Sequence, residues 1–172
     1  MRDRIPKKGY LGPFYVQRVP VLIHWTFPVG GIAVAYFLGD VTWRTAIPLI
    51  FAYTTLILIH EFGHAIAALS SGSKVHAVLV TGAGGWCFVD EPQSYASRFA
   101  FYAGGIIAQL LVLVITAVSV TLFENTNSIV LNLYILVFTV VNIVLIFINI
   151  VPSEGTDGKA LWLLAKEYFN AD

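Results

Sequence analysis

Two histidines and a glutamate, close together in an apolar run, are the residues best suited to do chemistry. They occur in the stretch His60-Glu61-Phe62-Gly63-His64. Residues four positions apart share one face of a helix, so both imidazoles can reach a single metal ion. Glu61 lies one step round the helix from His60 and could take a proton from a water molecule on that ion. The spacing therefore predicts a metal centre with Glu61 as the general base.

The surrounding sequence favours this interpretation over a structural role. The three residues lie in an apolar run from about Ala46 to Ser70, in which Glu61 is the only charged residue. Ionisable groups within a bilayer are costly, and they usually pair with each other or serve a function. Because no Lys or Arg in the same run could neutralise Glu61, a bound metal ion explains the cluster better than packing does.

The composition is that of a membrane protein. The chain has 172 residues, of which 58% are hydrophobic and 12% charged, and its mean hydropathy is +0.79. Soluble domains are about 45–50% apolar and about 25% charged. The formal net charge is zero and no basic face is evident, which argues against a nucleic-acid partner. The single cysteine, Cys87, excludes an intramolecular disulfide and a cysteine-rich metal site.

Four apolar segments are long enough to be transmembrane helices, which need about 20 residues each. They are residues 21–39, 46–70, 99–123 and 129–151, and Pro28 and Gly30 should kink the first of them. We therefore expect one all-α, multi-pass membrane domain over residues 1–172. Cytoplasmic loops collect basic residues, so both termini are expected in the cytoplasm. That topology leaves only Arg44 on the other side and places nine of the ten basic residues inside: Arg2, Arg4, Lys7, Lys8, Arg18, Lys74, Arg98, Lys159 and Lys166.

Two further segments are predicted to lie at the cytoplasmic membrane face. Residues 75–90 contain β-branched and aromatic residues on either side of a glycine-rich turn at 82–85, a pattern typical of a β-hairpin. This hairpin could lie on the membrane or dip into it. Residues 160–169 are expected to form a short interfacial helix, with aromatic side chains at headgroup level.

Two histidines leave a zinc site one protein ligand short, because a catalytic zinc usually has three. The predicted topology puts the two histidines towards the cytoplasmic side and excludes Glu124 at the opposite surface. Asp157 follows the cytoplasmic end of the fourth span, where Pro152 and Gly155 would break the helix and let the chain turn back. The other candidates remain open at this point: His24, His76, Asp90, Glu91 and Glu154.

Two motifs together resemble the site-2 protease family of intramembrane zinc metalloproteases. The first is HEFGH in a transmembrane helix, and the second is N-x-x-P-x-x-x-x-D-G at residues 149–158. The glycine-bearing hairpin also matches the family layout. The stretch 19–26, VPVLIHWT, is similar to that of the sporulation-factor-processing type of member. We expect a minimal catalytic core without PDZ or CBS modules.

The resemblance implies a ligand set and a reaction. His60, His64 and Asp157 would bind one zinc ion per chain, and Glu61 would be the general base. Asn149 matches the family asparagine that helps to hold the substrate. The partners would be a single-span membrane protein or peptide and the lipid bilayer, and the location would be the cell membrane of a prokaryote. The oligomeric state is left open.

The chain departs from the family pattern in two places. Residues 156–159 read Thr-Asp-Gly-Lys, where members commonly have Leu-Asp-Gly-Gly. The third helix often begins Ala-Gly-Pro with a downstream asparagine, whereas this chain has Ala-Gly-Gly at 103–105 and Ala108 at the asparagine position. Neither departure removes an expected zinc ligand.

Alternative interpretations follow from the same residues. His24 could orient a ligand or a water molecule near the metal, or it could simply extend its polar ring to the interface beside Trp25. The cluster could also belong to a membrane metal-binding or transport protein, although internal repeats or ligands along a pore would then be expected. A third alternative is a catalytically inactive member that binds membrane partners as a scaffold.

Overall fold

The computed structural model describes residues 8–122 and 128–170. Arg2, Arg4, Lys7, Phe123 and Glu124 therefore lie outside the described residues. In chain order, the elements are β1 (Tyr10–Val16), β2 (Val19–His24), α1 (Pro28–Phe37), α2 (Trp43–Ser70), β3 (Val75–Val80), β4 (Gly85–Val89), α3 (Tyr95–Leu122), α4 (Ile129–Leu136), a π-helical turn (Val137–Val141), α5 (Asn142–Ile150) and α6 (Asp157–Phe169).

Three long apolar helices dominate the described part of the chain. They are α2, α3 and the continuous helical stretch Ile129–Ile150, and each is long and apolar enough to cross a membrane. These helices confirm the prediction of long apolar helices at 46–70, 99–123 and 129–151. Their outward surfaces carry many exposed large hydrophobic side chains, such as Leu111, Ile115 and Phe147.

The prediction of one helix over residues 21–39 is wrong. Residues 21–24 belong to β2, and α1 has only ten residues, a rise of about 15 Å against a hydrocarbon core of about 30 Å. The segment 19–24 is rich in β-branched residues and pairs with a strand on each side. Pro28 then begins α1, a position at which its missing N–H costs nothing.

The predicted hairpin is confirmed, but it is half of a larger sheet. The four strands have the order β1-β2-β3-β4. β1 and β2 are antiparallel, β2 and β3 are parallel with Val21 opposite Val78, and β3 and β4 are antiparallel with Val80 opposite Gly85. The fold class is therefore mostly helical with a small sheet, rather than all-α with one hairpin. β4 forms one edge of this sheet.

The sheet packs along the second half of α2. Its inward valines, with the α2 side chains that they contact, form one buried cluster: Val19, Val21, Val78, Val80, Tyr53, Ile57 and Ala65. This stretch of α2 contains His60, Glu61 and His64. The sheet thus lies beside the part of the helix that carries the predicted chemistry.

Helices α2 and α3 approach each other closely at two glycines. A Cβ atom on Gly63 would lie 2.3 Å from the carbonyl oxygen of Gly104, and one on Gly104 would lie 2.6 Å from that of Gly63. Small residues allow helix backbones to come this near in membrane proteins. The contact brings α3 directly against the HEFGH turn of α2.

Helix α6 begins at Asp157, three residues before the predicted start of the C-terminal helix. The Thr156 side chain accepts a hydrogen bond from the backbone N–H of Lys159 at 3.3 Å and so caps the helix. Further along, Arg98 of α3 pairs with Glu167 at 2.8 Å. This docking of α6 on α3 leaves Asp157 near α2.

Candidate metal centre

The structure brings three predicted ligand atoms together. Nε2 of His60 lies 3.1 Å from Nε2 of His64. Oδ2 of Asp157 lies 3.2 Å from the first of these nitrogens and 3.3 Å from the second. Both imidazoles are buried and the Asp157 side chain is 14% exposed. These residues form the one group within the described ranges whose ligand atoms could hold a metal ion.

Hydrogen bonds behind the imidazoles fix which nitrogen faces the cluster. Nδ1 of His60 donates to Oε1 of Gln109 at 3.0 Å, and Nδ1 of His64 donates to the carbonyl oxygen of Phe101 at 2.7 Å. A neutral imidazole that donates from Nδ1 has its lone pair on Nε2. Both lone pairs are then directed at the space that Asp157 also faces.

This arrangement fits a zinc ion. With both Nδ1 atoms donating outwards, the two Nε2 atoms present lone pairs to each other and to a carboxylate oxygen at mutual distances of 3.1–3.3 Å, and the buried Oδ2 of Asp157 has no well-formed hydrogen bond. Ligands about 2.0–2.1 Å from a tetrahedral zinc lie about 3.3 Å from one another. Two imidazoles and one carboxylate also leave the fourth position open, as in catalytic sites.

Glu61 lines the same cavity as the three candidate ligands and lies against the start of β4. Its side chain is 4% exposed. A Cβ atom on Gly85 would lie 2.7 Å from Oε1 of Glu61, so only glycine leaves room for this carboxylate. The Glu61 carboxylate therefore faces the cavity that the candidate ligands share, at the start of β4.

A cavity of about 640 Å³ connects these residues. It opens between α2, the β3–β4 turn, α3, α5 and the segment before α6. Asn149, which the resemblance matches to a substrate-holding asparagine, lines this cavity and donates from Nδ2 to Oε1 of Gln109 at 3.4 Å. Its remaining wall comes from residues of mixed polarity: Ile57, Ala83, Gly84, Trp86, Cys87, Tyr102, Leu145, Ile148 and Gly155.

The other candidate ligands lie elsewhere. Glu154 is exposed and pairs with Lys159, and His76 pairs with Asp90 at 2.7 Å. His24 does not line the cavity; Nδ1 of its ring lies 2.8 Å from Oγ1 of Thr26. Thr26 Oγ1 in turn accepts from the backbone N–H of Gly82 at 3.4 Å. His24 is therefore linked to the turn of the hairpin and not to the metal ligands.

Two residues of this site were missed in the sequence. Gln109 contacts both His60 and Asn149. In the family resemblance, however, the position of the asparagine in the third helix corresponds to Ala108, one residue earlier. Gln109 is the only amide side chain in residues 99–123, and that isolation was the available signal. Gly105 is the second: a Cβ atom there would lie 2.5 Å from Nε2 of His64.

Cys87 faces the same cavity but is not suited to be a nucleophile. Burial raises the pKa of its thiol to about 12, and the nearby Glu61 carboxylate adds to that shift. At neutral pH the thiol is therefore protonated, and a thiol is a much weaker nucleophile than a thiolate.

Comparison with known proteins identifies the family. The sequence model described as Peptidase M50B-like matches residues 30–151, which is well over half of the chain. The chain belongs to the Peptidase M50B-like family. The matched range includes His60, Glu61, His64 and Asn149 and ends before Asp157. In this M50B-like chain, Asp157 is a candidate ligand on the geometry of the cluster and not on the family match.

The fold of the M50B-like chain is similar to that of a solved structure described as the site-2 protease from Methanocaldococcus jannaschii. The two share 20% sequence identity with a TM-score of 0.68, over 92% of this chain and 73% of that chain. No curated protein matches the sequence. Family membership and three membrane-length apolar helices make this chain an integral membrane protein of a metalloprotease family.

Proposed function

We propose that this chain is an intramembrane zinc metalloprotease that hydrolyses peptide bonds of single-span membrane proteins. One observation carries the proposal. Nε2 of His60, Nε2 of His64 and Oδ2 of Asp157 converge within 3.3 Å of one another beside Glu61. They do so in a cavity whose walls are formed by helices able to cross a membrane.

In the proposed reaction, His60, His64 and Asp157 hold the zinc ion, and Glu61 moves the proton. When bound, zinc acts as a Lewis acid that polarises the scissile carbonyl and lowers the pKa of the attacking water. The Glu61 carboxylate takes one proton from that water while the water oxygen forms a bond to the scissile carbonyl carbon. Glu61 then gives the proton to the departing amide nitrogen as the C–N bond breaks. The products are a carboxylic acid and an amine.

The substrate must be extended at the cleaved bond, because a helix hides its amides in backbone hydrogen bonds. β4 is an edge strand, and its first residues line the cavity beside Glu61. An unwound segment could add to this edge as a fifth strand, while Asn149 holds it from the opposite wall. The alternative role of the hairpin is a cap that covers the cytoplasmic mouth of the site.

The same proposal includes four membrane crossings with both termini in the cytoplasm. β2 and β3 pair directly, although α1 and α2 lie between them in the chain. The α1–α2 segment therefore begins and ends at one face. The sheet packs against the second half of α2, so we place it within the cytoplasmic half of the bilayer. The ten residues of α1 then need to cross only the other half, about 15 Å.

The proposal is tested by cleavage in reconstituted vesicles. We expect the purified full chain to cut a co-reconstituted single-span substrate, to lose this activity in a zinc chelator, and to regain it when zinc is returned. The measurement is the fraction of substrate cleaved, resolved by gel and mass spectrometry.

The outcomes separate the alternatives. Cleavage that continues unchanged in a chelator that has removed the metal would contradict the zinc mechanism. Metal uptake into vesicles without cleavage of any single-span substrate would favour a transport protein. A chain that holds zinc but neither cleaves nor transports would favour a scaffold.

A further inference from the structure

Gln109 joins two parts of the proposed site through one oxygen atom. It lies in α3, is 1% exposed, and accepts from Nδ1 of His60 at 3.0 Å. The same Oε1 accepts from Nδ2 of Asn149 at 3.4 Å. The one amide side chain of residues 99–123 thus contacts both a proposed zinc ligand and the proposed substrate-holding residue. The close approach of α2 and α3 at Gly63 and Gly104 is a separate contact between the same two helices.

A second buried amide holds Gln109 in place. Asn142 is fully buried, and its Nδ2 donates to the backbone carbonyl of Gln109 at 2.9 Å and to that of Phe138 at 3.3 Å. Asn142 directly follows the π-helical turn Val137–Val141. Its backbone N–H donates to the carbonyl oxygens of Val137 and Thr139, and not to that of Phe138 as in a regular α-helix. Such turns are frequent at functional sites. The Phe138 carbonyl, which the π-helical turn leaves without the Asn142 backbone N–H, instead accepts a hydrogen bond from the Asn142 side chain.

We propose that Gln109 is a positioning residue that sets the orientation of His60 and couples it to Asn149. This inference rests on the proposed function. By accepting from Nδ1, Gln109 keeps the proton on that nitrogen and directs the Nε2 lone pair at the zinc, which is how partners behind a ligand raise metal affinity. By accepting from Asn149, it also holds that amide at the cavity wall. Loss of its oxygen therefore disturbs metal binding and substrate binding together.

The experiment measures zinc affinity of the full chain in detergent, by competition with a chromophoric chelator. Gln109→Met keeps the length of the side chain but removes the acceptor, and we expect it to bind zinc roughly 10–100-fold more weakly. Gln109→Glu retains an acceptor and should restore affinity to near that of the wild type. Thr116→Val is the matched control, because Thr116 is a buried polar residue of α3 whose hydroxyl donates to the Val112 carbonyl of its own helix at 2.8 Å.

A spectroscopic readout separates positioning from general destabilisation. Cobalt(II) replaces zinc in such sites and reports ligand geometry in its visible spectrum. We expect the spectrum to change in Gln109→Met and to match the wild type in Gln109→Glu and Thr116→Val. If Gln109→Met binds zinc as tightly as the wild type with an unchanged cobalt spectrum, the proposal is overturned.

A measurement on the wild type covers the case in which Gln109→Met does not fold. In zinc-bound protein labelled with ¹⁵N-histidine, His60 should carry its proton on Nδ1, and metal bound at Nδ1 instead would overturn the proposal.

The coupling between Gln109 and Asn149 is tested by steady-state kinetics at saturating zinc. Asn149→Ala and Gln109→Met should each raise KM, and the double variant should raise it no further. If the double variant instead raises KM by the product of the two single-variant factors, the coupling is overturned.

These arms distinguish failure of the inference from failure of the proposed function. Zinc affinity, the cobalt spectrum and the histidine proton need no substrate. A chain that binds zinc in the expected way and cleaves nothing would contradict the protease proposal while leaving the role of Gln109 at His60 supported. A chain that cleaves substrate but whose zinc affinity is unchanged in Gln109→Met would support the protease proposal and contradict the role of Gln109.

Discussion

Glu61→Gln is expected to lower the rate of substrate cleavage by about 10²–10⁴-fold, the usual contribution of a general acid–base. Glutamine has the shape of glutamate but cannot take up a proton at neutral pH. Zinc content should stay unchanged, because the converging ligand atoms belong to His60, His64 and Asp157. The measurement pairs the initial rate of cleavage in vesicles with metal analysis of the same preparation.

The matched control is the same substitution at Glu154. That side chain is exposed and pairs with Lys159, so Glu154→Gln should cleave at nearly the rate of the wild type. A Glu61→Gln variant that cleaves a verified substrate as fast as the wild type would remove Glu61 from the mechanism. A variant that lost zinc together with activity would instead make Glu61 part of the metal site.

Gly105→Ala is expected to abolish zinc binding. The added Cβ atom would lie 2.5 Å from Nε2 of His64 and 2.7 Å from Nε2 of His60. The two rings cannot easily rotate away, because Nδ1 of His60 is hydrogen-bonded to Gln109 and Nδ1 of His64 to the Phe101 carbonyl. One methyl group would therefore occupy the space where the ligand atoms converge. Metal analysis should find only a small fraction of the wild-type zinc in this variant.

Gly84→Ala controls for the substitution itself. Gly84 lines the same cavity, and a Cβ atom there would meet nothing within 4 Å. This variant should bind zinc like the wild type, and both variants should show cooperative thermal unfolding in detergent. Wild-type zinc affinity in a folded Gly105→Ala would contradict the ligand geometry described for α2 and α3.

The part of the site on α2 was predictable because it is local. A spacing of four residues puts His60 and His64 on one helical face whatever the rest of the chain does. Asp157 is not fixed by local spacing: the residues alone leave several other candidates open, and only the family resemblance singles it out. Its position depends on how α6 docks against α3, through contacts such as Arg98–Glu167 that pair residues distant in sequence.

The errors in the fold also came from distant contacts. An apolar strand buried beside a helix has the same hydropathy as a membrane span, so hydropathy alone predicts a helix at residues 21–24, where the structure has β2. Their partner β3 begins at Val75, far along the chain. Gln109 was missed for a related reason: one residue on a helix is a rotation of about 100°, and only the packed α2–α3 pair fixes which of Ala108 and Gln109 meets His60.

The most direct test of the whole account is the zinc content of the detergent-purified full chain, wild type beside Asp157→Ala. We predict about one zinc per chain in the wild type and a large loss in the variant, because in the proposed ligand set Asp157 is the third ligand, 3.2–3.3 Å from the two imidazole nitrogens. Equal zinc in the two proteins would contradict the ligand set. Absence of zinc from both would contradict the metalloprotease itself.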